Sequence, residues 1–208
     1  MTEQYDIAIT GSGFAGSLLA MIARRLGRSV VLIERGRHPR MAIGESSTPL
    51  TNLLLEELTT RYDLPSLRPL AKWGTWQRAH PEVACGLKRG FTFYHHNLGH
   101  PSPFPPDRNH QLLVAASPHD RIADTHWFRA DFDHLLVREA QKLGVHYLDE
   151  TTLTQVTESS DQVELEGIRH GNRFAVSAKF LIDASGPRGF LHHALKLGEK
   201  DLPHFPQT

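Results

Sequence analysis

The segment YDIAITGSGFAGSLLAMIARRLG, residues 5–27, determines the fold class of this 208-residue chain. An apolar, β-prone run ends at Thr10 and leads directly into the glycine turn GSGFAG, residues 11–16. Apolar residues then recur at helical spacing, and Gly27 is a suitable C-terminal cap. The segment therefore predicts a strand, a tight turn and a helix.

A second apolar strand, residues 29–33, follows this helix and leads into Glu34. In a dinucleotide site, Gly11 permits the tight turn, Gly13 lets the backbone approach a pyrophosphate, and Gly16 lets the helix pack on the strand. The helix N-terminus offers N–H groups and a partial positive charge to phosphates. Glu34 is placed to accept hydrogen bonds from a ribose and disfavours a 2′-phosphate, which favours FAD or NAD over NADP. A glycine turn that only packs two elements would not explain Glu34.

Composition excludes several other classes of protein. Lys plus Arg and Asp plus Glu both number 23, and no basic stripe is present, so we expect no nucleic-acid partner. No apolar run reaches the length of about eighteen residues that a membrane span requires. The start MTEQYDIAIT lacks the pattern of a signal peptide, and Cys85 is the only cysteine. We therefore expect a cytoplasmic protein.

The fourteen histidines do not predict a metal site. Several fall between His95 and His126, interleaved with glycine and proline, and no cysteine or carboxylate pair is spaced to complete a ligand set. A polar loop is the expected structure for this stretch, with no metal.

The stretch RMAIGESSTPL, residues 40–50, precedes a helix that begins at Pro49. Ser47 or Thr48 is a candidate N-cap. The preceding Gly44, Glu45 and Ser46 would lie at a loop-to-helix junction, which can present N–H donors to a second polar part of a cofactor. A simple capped helix start is the alternative.

The remaining patterns complete an α/β, Rossmann-like FAD/NAD(P)-binding fold whose parallel sheet is interrupted by a mixed β region. We expect a discontinuous nucleotide-binding domain at 1–60 and 127–198, a partial substrate-domain insertion at 61–126, and a tail at 199–208. The predicted elements are strands at 87–95 and 111–116, a Pro-rich connection at 100–110, a helix from Arg129 to Gly144, a strand at 145–148, β segments at 153–157, 162–166 and 173–178, a strand at 180–183 and a short helix after Gly189.

Four motifs in this order resemble the FAD-dependent halogenases and related flavin monooxygenases. They are the glycine turn with Glu34, Gly44-Glu45-Ser46 with Pro49, Arg129-Ala130-Asp131-Phe132-Asp133, and Asp183-Ala184-Ser185-Gly186. The resemblance spans nearly the whole chain, and the second and third motifs are the more selective. It implies that FAD is the cofactor, that Glu34 holds the adenosine ribose, that Arg129 lies near the diphosphate or ribityl, and that Asp183 to Gly186 close around the adenosine. The candidate cofactor-binding residues are Gly11, Ser12, Gly13, Phe14, Ala15, Gly16, Glu34, Arg35, Gly44, Glu45, Ser46, Ser47, Arg129, Asp183 and Gly186.

Lys88 resembles the halogenase lysine that stands between flavin and substrate and passes on oxidised halogen, and it is the candidate catalytic residue. An ammonium can donate a hydrogen bond to the oxidant, and a neutral amine can itself be halogenated. The alternative is an ordinary solvent-facing lysine that alternates with its neighbours along a strand.

The chain also departs from this family. The W-x-W-x-I-P signature and the later Gly-Asp motif are absent, so we expect the N-terminal portion of a longer flavoprotein whose C-terminal part is missing. Such a portion would expose a sheet edge and apolar surface, which predicts self-association or cover by a partner or a missing segment. We also expect this chain alone to bind FAD weakly or not at all, and the complete form to bind it tightly.

The resemblance implies an FAD-dependent oxidoreductase, halogenase-like or monooxygenase-like, that acts on a small, aromatic substrate through a flavin hydroperoxide. A separate flavin reductase is the expected partner. The alternatives are a truncated, non-catalytic nucleotide-binding remnant and a flavin-dependent reductase or dehydrogenase. A simple NAD-dependent dehydrogenase would require neither Gly44-Glu45-Ser46 with Pro49 nor the DASG segment, residues 183–186.

Overall fold

The computed structural model describes residues 3–96, 108–115, 117–187 and 189–198. The chain forms two compact units: the first comprises Met1–Arg40 and Asp133–Thr208, and the second Met41–Phe132. Most of the expected Pro-rich connection at 100–110 and the whole of the expected tail at 199–208 lie outside the described residues.

Strands and helices alternate at the start of the chain, and runs of consecutive strands follow later in the chain. In chain order they are β1 (Glu3–Thr10), α1 (Phe14–Arg25), β2 (Val30–Ile33), α2 (Pro49–Arg61), α3 (Trp73–Ala79), β3 (Cys85–Lys88), β4 (Gly90–Tyr94), β5 (Gln111–Ala115), β6 (Asp124–Trp127), α4 (Arg129–Lys142), β7 (His146–Leu148), β8 (Thr151–Glu158), β9 (Val163–Arg169), β10 (Asn172–Asp183) and α5 (Phe190–Ala194), with short 3₁₀ helices at Arg68–Ala71 and Asp120–Ile122.

The first unit is built on a six-stranded sheet with the order β7-β2-β1-β10-β9-β8. The strands β7, β2, β1 and β10 pair in parallel, whereas β9 and β8 add an antiparallel extension. Apolar side chains of five strands form a core on this sheet: Ala8, Val31, Ile33, Leu148, Leu165, Val176 and Ala178. The predicted Rossmann-like α/β fold with a parallel sheet is confirmed, because carboxyl ends of parallel strands carry both the glycine turn and Glu34.

One strand of this sheet is longer than the sequence pattern indicated. The segments predicted at 173–178 and 180–183 form the single strand β10. Lys179 breaks the apolar pattern, but it stays at the surface of the strand, where its Nζ lies 2.8 Å from Asp6 Oδ1. The strand therefore continues through a charged position.

The second unit contains α2, α3 and two small antiparallel sheets, β3-β6 and β4-β5. Its core includes a stack of aromatic rings, in which the Phe132 centroid lies 5.4 Å from that of Trp76 and 4.4 Å from that of Trp127. Trp76 is fully buried, and its Nε1 donates to Val83 O at 2.9 Å. Helix α4 begins in this unit and continues into the first one.

The predicted strand at 87–95 was wrong as a single element. Extended structure is interrupted at Arg89, which divides the segment into two strands. The first, β3, pairs with β6, and the second, β4, pairs with β5 in a different sheet. The sequence did not predict β6, because DTHW has neither an apolar run nor a clean alternation, and its pairing partner is distant in the chain. Helix α3 was not predicted either. Within the described residues, no helix combines the length and the apolar character needed to cross a membrane.

Candidate functional site

The glycine turn of the first unit is closely packed against the segment after β10. Gly11 has a φ of +94°, and a Cβ atom there would lie 2.4 Å from Ala184 O. A Cβ at Gly16 would lie 1.9 Å from Gly11 O. Any side chain at either position would displace backbone, so the structure requires glycine at both. The GxGxxG turn and the DASG segment are thereby brought together.

The N-terminus of α1 is left without a side-chain cap. Its N-cap residue is Gly13, in an extended conformation, and the first turn carries no acidic side chain. The helix is 12 residues long, so its N-terminus carries a partial positive charge that no side chain of its own first turn offsets. This is the arrangement that favours an anionic ligand such as a diphosphate.

Glu34 follows β2 and is 7% exposed. It accepts hydrogen bonds from Ser12 N at 3.0 Å, Ser12 Oγ at 2.9 Å and Gly36 N at 2.8 Å, and it forms an ion pair with Arg40 at 3.0 Å. Burial by itself would raise the pKa of this carboxyl, but the hydrogen bonds and the guanidinium lower its pKa to about 2. The carboxylate is therefore ionised and fixed beside the glycine turn.

Two partners of this carboxylate cluster were missed by the sequence analysis. Arg40 pairs with Glu34, and His38 Nε2 lies 2.8 Å from Ser12 Oγ. His38 Nδ1 and Arg40 Nε are buried without a hydrogen-bond partner among the described residues. Burial, followed by the nearby Arg40, lowers the pKa of His38. The candidate Arg35, by contrast, is exposed.

Asp183 organises the loop between β10 and α5. Its Oδ1 accepts from Ser185 N at 3.0 Å and Ser185 Oγ at 2.5 Å, and its Oδ2 accepts from Leu191 N at 2.7 Å. Gly186 in this loop has a φ of +98°. Both residues thus shape the segment that packs on the glycine turn.

In the second unit, the stretch from Glu45 to Ser47 pairs with β6. Ser47 N donates to Thr125 O at 3.1 Å, Trp127 N donates to Glu45 O at 2.6 Å, and Ser46 forms an isolated β-bridge with His126. The helix cap is Thr48, whose Oγ1 accepts from Thr51 N at 3.2 Å. The GESS stretch, residues 44–47, is therefore more than a capped helix start, because its backbone pairs with a strand far along the chain.

Gly44 and Arg129 are brought together in the same unit. Gly44 has a φ of +98°, and Arg129 Nη1 donates to Ile43 O at 2.8 Å and to Gly44 O at 3.3 Å. A Cβ at Gly44 would lie 3.2 Å from that guanidinium nitrogen. Arg129, the first residue of the motif at 129–133, therefore supports the turn at Gly44.

Lys88 is buried, with 4% of its surface exposed. Its Nζ donates to Ser46 Oγ at 2.8 Å and to Ser47 O, and it lies 3.9 Å from the centroid of the Phe91 ring. Burial lowers the pKa of this amine, while the negative charge of Asp124 acts in the opposite direction. The alternative of a solvent-facing lysine was wrong, because the strand turns this side chain inwards onto the GESS stretch.

The structure thus forms two clusters from the predicted residues. The first unit joins the glycine turn with Glu34, Asp183 and Gly186, and the second joins the stretch 44–47 with Lys88 and Arg129. Among the described residues, one group of potential metal ligands, Asp149, Glu150 and His170, lies in the first unit at turns outside both clusters.

Comparisons with known proteins identify relatives that share a single chemistry, although no family model matches the chain. Monodechloroaminopyrrolnitrin halogenase PrnC of Pseudomonas fluorescens is 31% identical over 199 residues, which cover 96% of this chain and 34% of that protein. Tetracycline 7-halogenase of Kitasatospora aureofaciens is 28% identical over 196 residues, which cover 94% of this chain and 34% of that protein.

Solved structures of halogenases also match this chain. Halogenase PltM in complex with phloroglucinol and FAD matches with a TM-score of 0.79 and 30% identity, over 93% of this chain and 36% of that chain. The myxobacterial chondrochloren halogenase CndH, an FAD-dependent halogenase, matches with a TM-score of 0.65 and 25% identity, over 89% of this chain and 38% of that chain.

The sheet and the glycine turn define a Rossmann-like α/β protein of the nucleotide-binding class. Within that class, the chain is related to the flavin-dependent halogenases over nearly its whole length. It spans about a third of the length of these relatives.

Proposed function

We propose that this chain forms the cofactor-binding and lysine-bearing part of an FAD-dependent halogenase. The observation that carries the proposal is the buried amine of Lys88 on the GESS stretch, in a chain whose relatives are halogenases. A buried lysine tied to a motif of this kind favours halogenation over ordinary hydroxylation, because hydroxylation has no need for an amine at that place.

The residues of both clusters fit FAD. The uncapped N-terminus of α1 suits the diphosphate, and the ionised Glu34 suits the hydroxyl groups of a ribose. Two solved structures of the related PltM hold FAD. The residues proposed to hold the cofactor are Gly11, Ser12, Gly13, Phe14, Ala15, Gly16, Glu34, Arg35, Gly44, Glu45, Ser46, Ser47, Arg129, Asp183 and Gly186.

The protein's share of the chemistry centres on Lys88. When bound in its reduced form, the flavin would supply the two electrons that activate oxygen for the oxidation of halide. Lys88 holds a proton at Nζ, from which it can donate a hydrogen bond to the oxidised halogen species. Because burial lowers the pKa of this amine, the proton is released more readily than from a surface lysine, and the neutral amine is a nucleophile.

The partners belong to the same proposal. PrnC and tetracycline 7-halogenase are named for acting on small ring-containing molecules, and the substrate proposed for this protein is likewise a small aromatic or pyrrole compound. A separate flavin reductase supplies reduced flavin. Self-association through an edge strand such as β8 remains a prediction. The predicted domain boundaries at residues 60 and 126 also remain a prediction, and they differ from the boundaries of the two compact units at 40 and 132.

Halide-dependent turnover tests the proposed function. The protein is supplied with FAD, NADH, a flavin reductase, chloride or bromide, and a panel of phenols and pyrroles, and products are analysed by mass spectrometry. We expect halogenated products that Lys88→Met reduces roughly 100-fold or more, the scale of losing a positioned proton donor. The control Lys142→Met removes an exposed lysine, 71% accessible at its side chain, and retains turnover.

Two outcomes contradict the proposal. One is oxygenated product that forms without halide, and the other is full halogenation by Lys88→Met. Failure of the complete, folded protein to bind FAD would also exclude it.

A further inference from the structure

Asp124 on β6 lies directly opposite Lys88 on β3. The two residues are Cα partners in an antiparallel register, so their side chains project from the same face of the two-stranded sheet. Asp124 is 5% exposed and Lys88 is 4% exposed. A carboxylate and an amine are therefore both removed from water on the same face of this sheet.

Asn52 of α2 holds this carboxylate in place. Its Nδ2 donates to Asp124 Oδ1 at 2.7 Å, and Asn52 is 6% exposed. The other oxygens of the pair, Asp124 Oδ2 and Asn52 Oδ1, are buried and accept no hydrogen bond from a described residue. A buried carboxylate that is only half satisfied is costly unless a positive charge compensates it.

The surroundings of Lys88 favour Asp124 as the negative charge that compensates its ammonium. Ser46 Oγ and Ser47 O accept hydrogen bonds from the ammonium but are neutral, and Phe91 offers only its ring. His126, two residues beyond Asp124 on the same face, is exposed. Arg89, the next residue after Lys88, pairs with Asp120 at 3.1 Å.

We propose that Asp124, clamped by Asn52, is a positioning residue that compensates the charge of Lys88 and holds its ammonium against Ser46 and Ser47. The catalytic meaning of this role rests on the proposed halogenase function, but the charge pairing itself does not. Asp124 acts through Lys88 and contacts neither cofactor nor substrate in this role.

Competitive labelling of lysines with acetic anhydride tests the proposal without flavin or halide. Only the neutral amine reacts, so the labelling rate across a pH series reports the titration of each lysine. In Asp124→Asn, which removes the charge but keeps the size, we expect Lys88 to label roughly three- to tenfold faster at pH 8 than in the unmodified protein, relative to Lys142. The matched control Asp120→Asn removes an exposed carboxylate that pairs with Arg89, and it leaves Lys88 unchanged.

Every outcome of this experiment bears on the pairing. An unchanged Lys88 profile in folded Asp124→Asn overturns the proposal. If Asp124→Asn does not fold, the double variant Lys88→Met/Asp124→Asn is expected to fold, because it no longer buries an uncompensated ammonium. A double variant that also fails to fold overturns it. Because the measurement needs no turnover, a protein without halogenase activity can still show the pairing.

Discussion

Gly11 shows how one residue fixes the relation between two segments of the chain. Its positive φ and the close approach of Ala184 O leave no room for a side chain. Gly27 also has a positive φ, of +78°, but a Cβ there would meet nothing within 4 Å. A side chain at Gly27 would therefore cause backbone strain alone, whereas one at Gly11 would cause both strain and a steric clash.

This difference predicts unequal effects of the same substitution. Gly27→Ala should lower the free energy of unfolding by about 1 kcal/mol, from strain alone. Gly11→Ala should lower it by roughly 2–4 kcal/mol, because the backbone after β10 must also move. Urea unfolding followed by circular dichroism measures both. Equal losses would show that the clash at Gly11 is relieved without cost.

Glu34 illustrates what a fixed charge at one residue does. Its pKa in the fold is about 2, below the ordinary value of 4.5. Because the folded pKa is the lower one, ionised Glu34 stabilises the fold above pH 4.5, and this stabilisation is lost as the pH falls from 4.5 towards 2.

Glu34→Gln should therefore flatten the acid limb of the stability curve. We expect the free energy of unfolding of the variant to fall less steeply between pH 4.5 and pH 2 than that of the unmodified protein. FAD affinity in the protein should drop roughly tenfold, since a neutral amide accepts ribose hydrogen bonds less strongly. As a control, Glu57→Gln changes a carboxyl in an exposed ion pair and leaves both quantities unchanged. An identical acid limb for Glu34→Gln would contradict the lowered pKa.

At the scale of the elements, the segment from Glu45 to Thr48 has two separable tasks. Thr48 caps α2, whereas Glu45 to Ser47 pair with β6, and Ser46 also accepts from Lys88. The sequence left both Ser47 and Thr48 open as the cap. The local geometry selects Thr48, because Ser47 Oγ is engaged with Thr125 at 2.8 Å.

Thr48→Ala tests this division. Loss of the cap should cost about 1 kcal/mol in the free energy of unfolding, measured by urea titration, and should leave the acetic anhydride labelling of Lys88 unchanged. Ser46→Ala should do the reverse, leaving α2 capped while it removes a hydrogen-bond acceptor from Lys88. If Thr48→Ala altered Lys88 and Ser46→Ala did not, the two tasks would have been assigned to the wrong residues.

At the scale of the whole molecule, the two compact units carry different parts of the proposed chemistry. The first holds the glycine turn with Glu34 and the DASG loop, and the second holds the GESS stretch with Lys88 and Arg129. In the second unit, the β4-β5 sheet presents apolar side chains to solvent, with Leu113 71% and Phe93 55% exposed.

The nucleotide-binding half of the candidate site could be predicted from sequence because its signals are local. Strand, glycine turn, helix and terminal acid follow one another within residues 5–34, and each has a propensity or spacing that stands without the rest of the chain. The partners of that acid could not be predicted in the same way. Arg40 and His38 lie in an irregular loop, where no periodicity indicates which side chain turns inwards.

The sequence alone determined the α/β class, the glycine turn and the helices α1, α2 and α4, since each of these depends on residues close together in the chain. It also indicated the kinship with flavin-dependent halogenases, because the motifs that carry the resemblance are short and occur in the same order along the chain. Only the tertiary structure decided that Lys88 is buried and that its ammonium donates to Ser46 and Ser47. It also decided that Asp124 lies opposite Lys88 and accepts a hydrogen bond from Asn52. Those contacts join residues 36 to 72 positions apart. The free energy of burying a charge depends on which groups long-range pairing places around it, and a pattern of neighbouring residues does not contain that information.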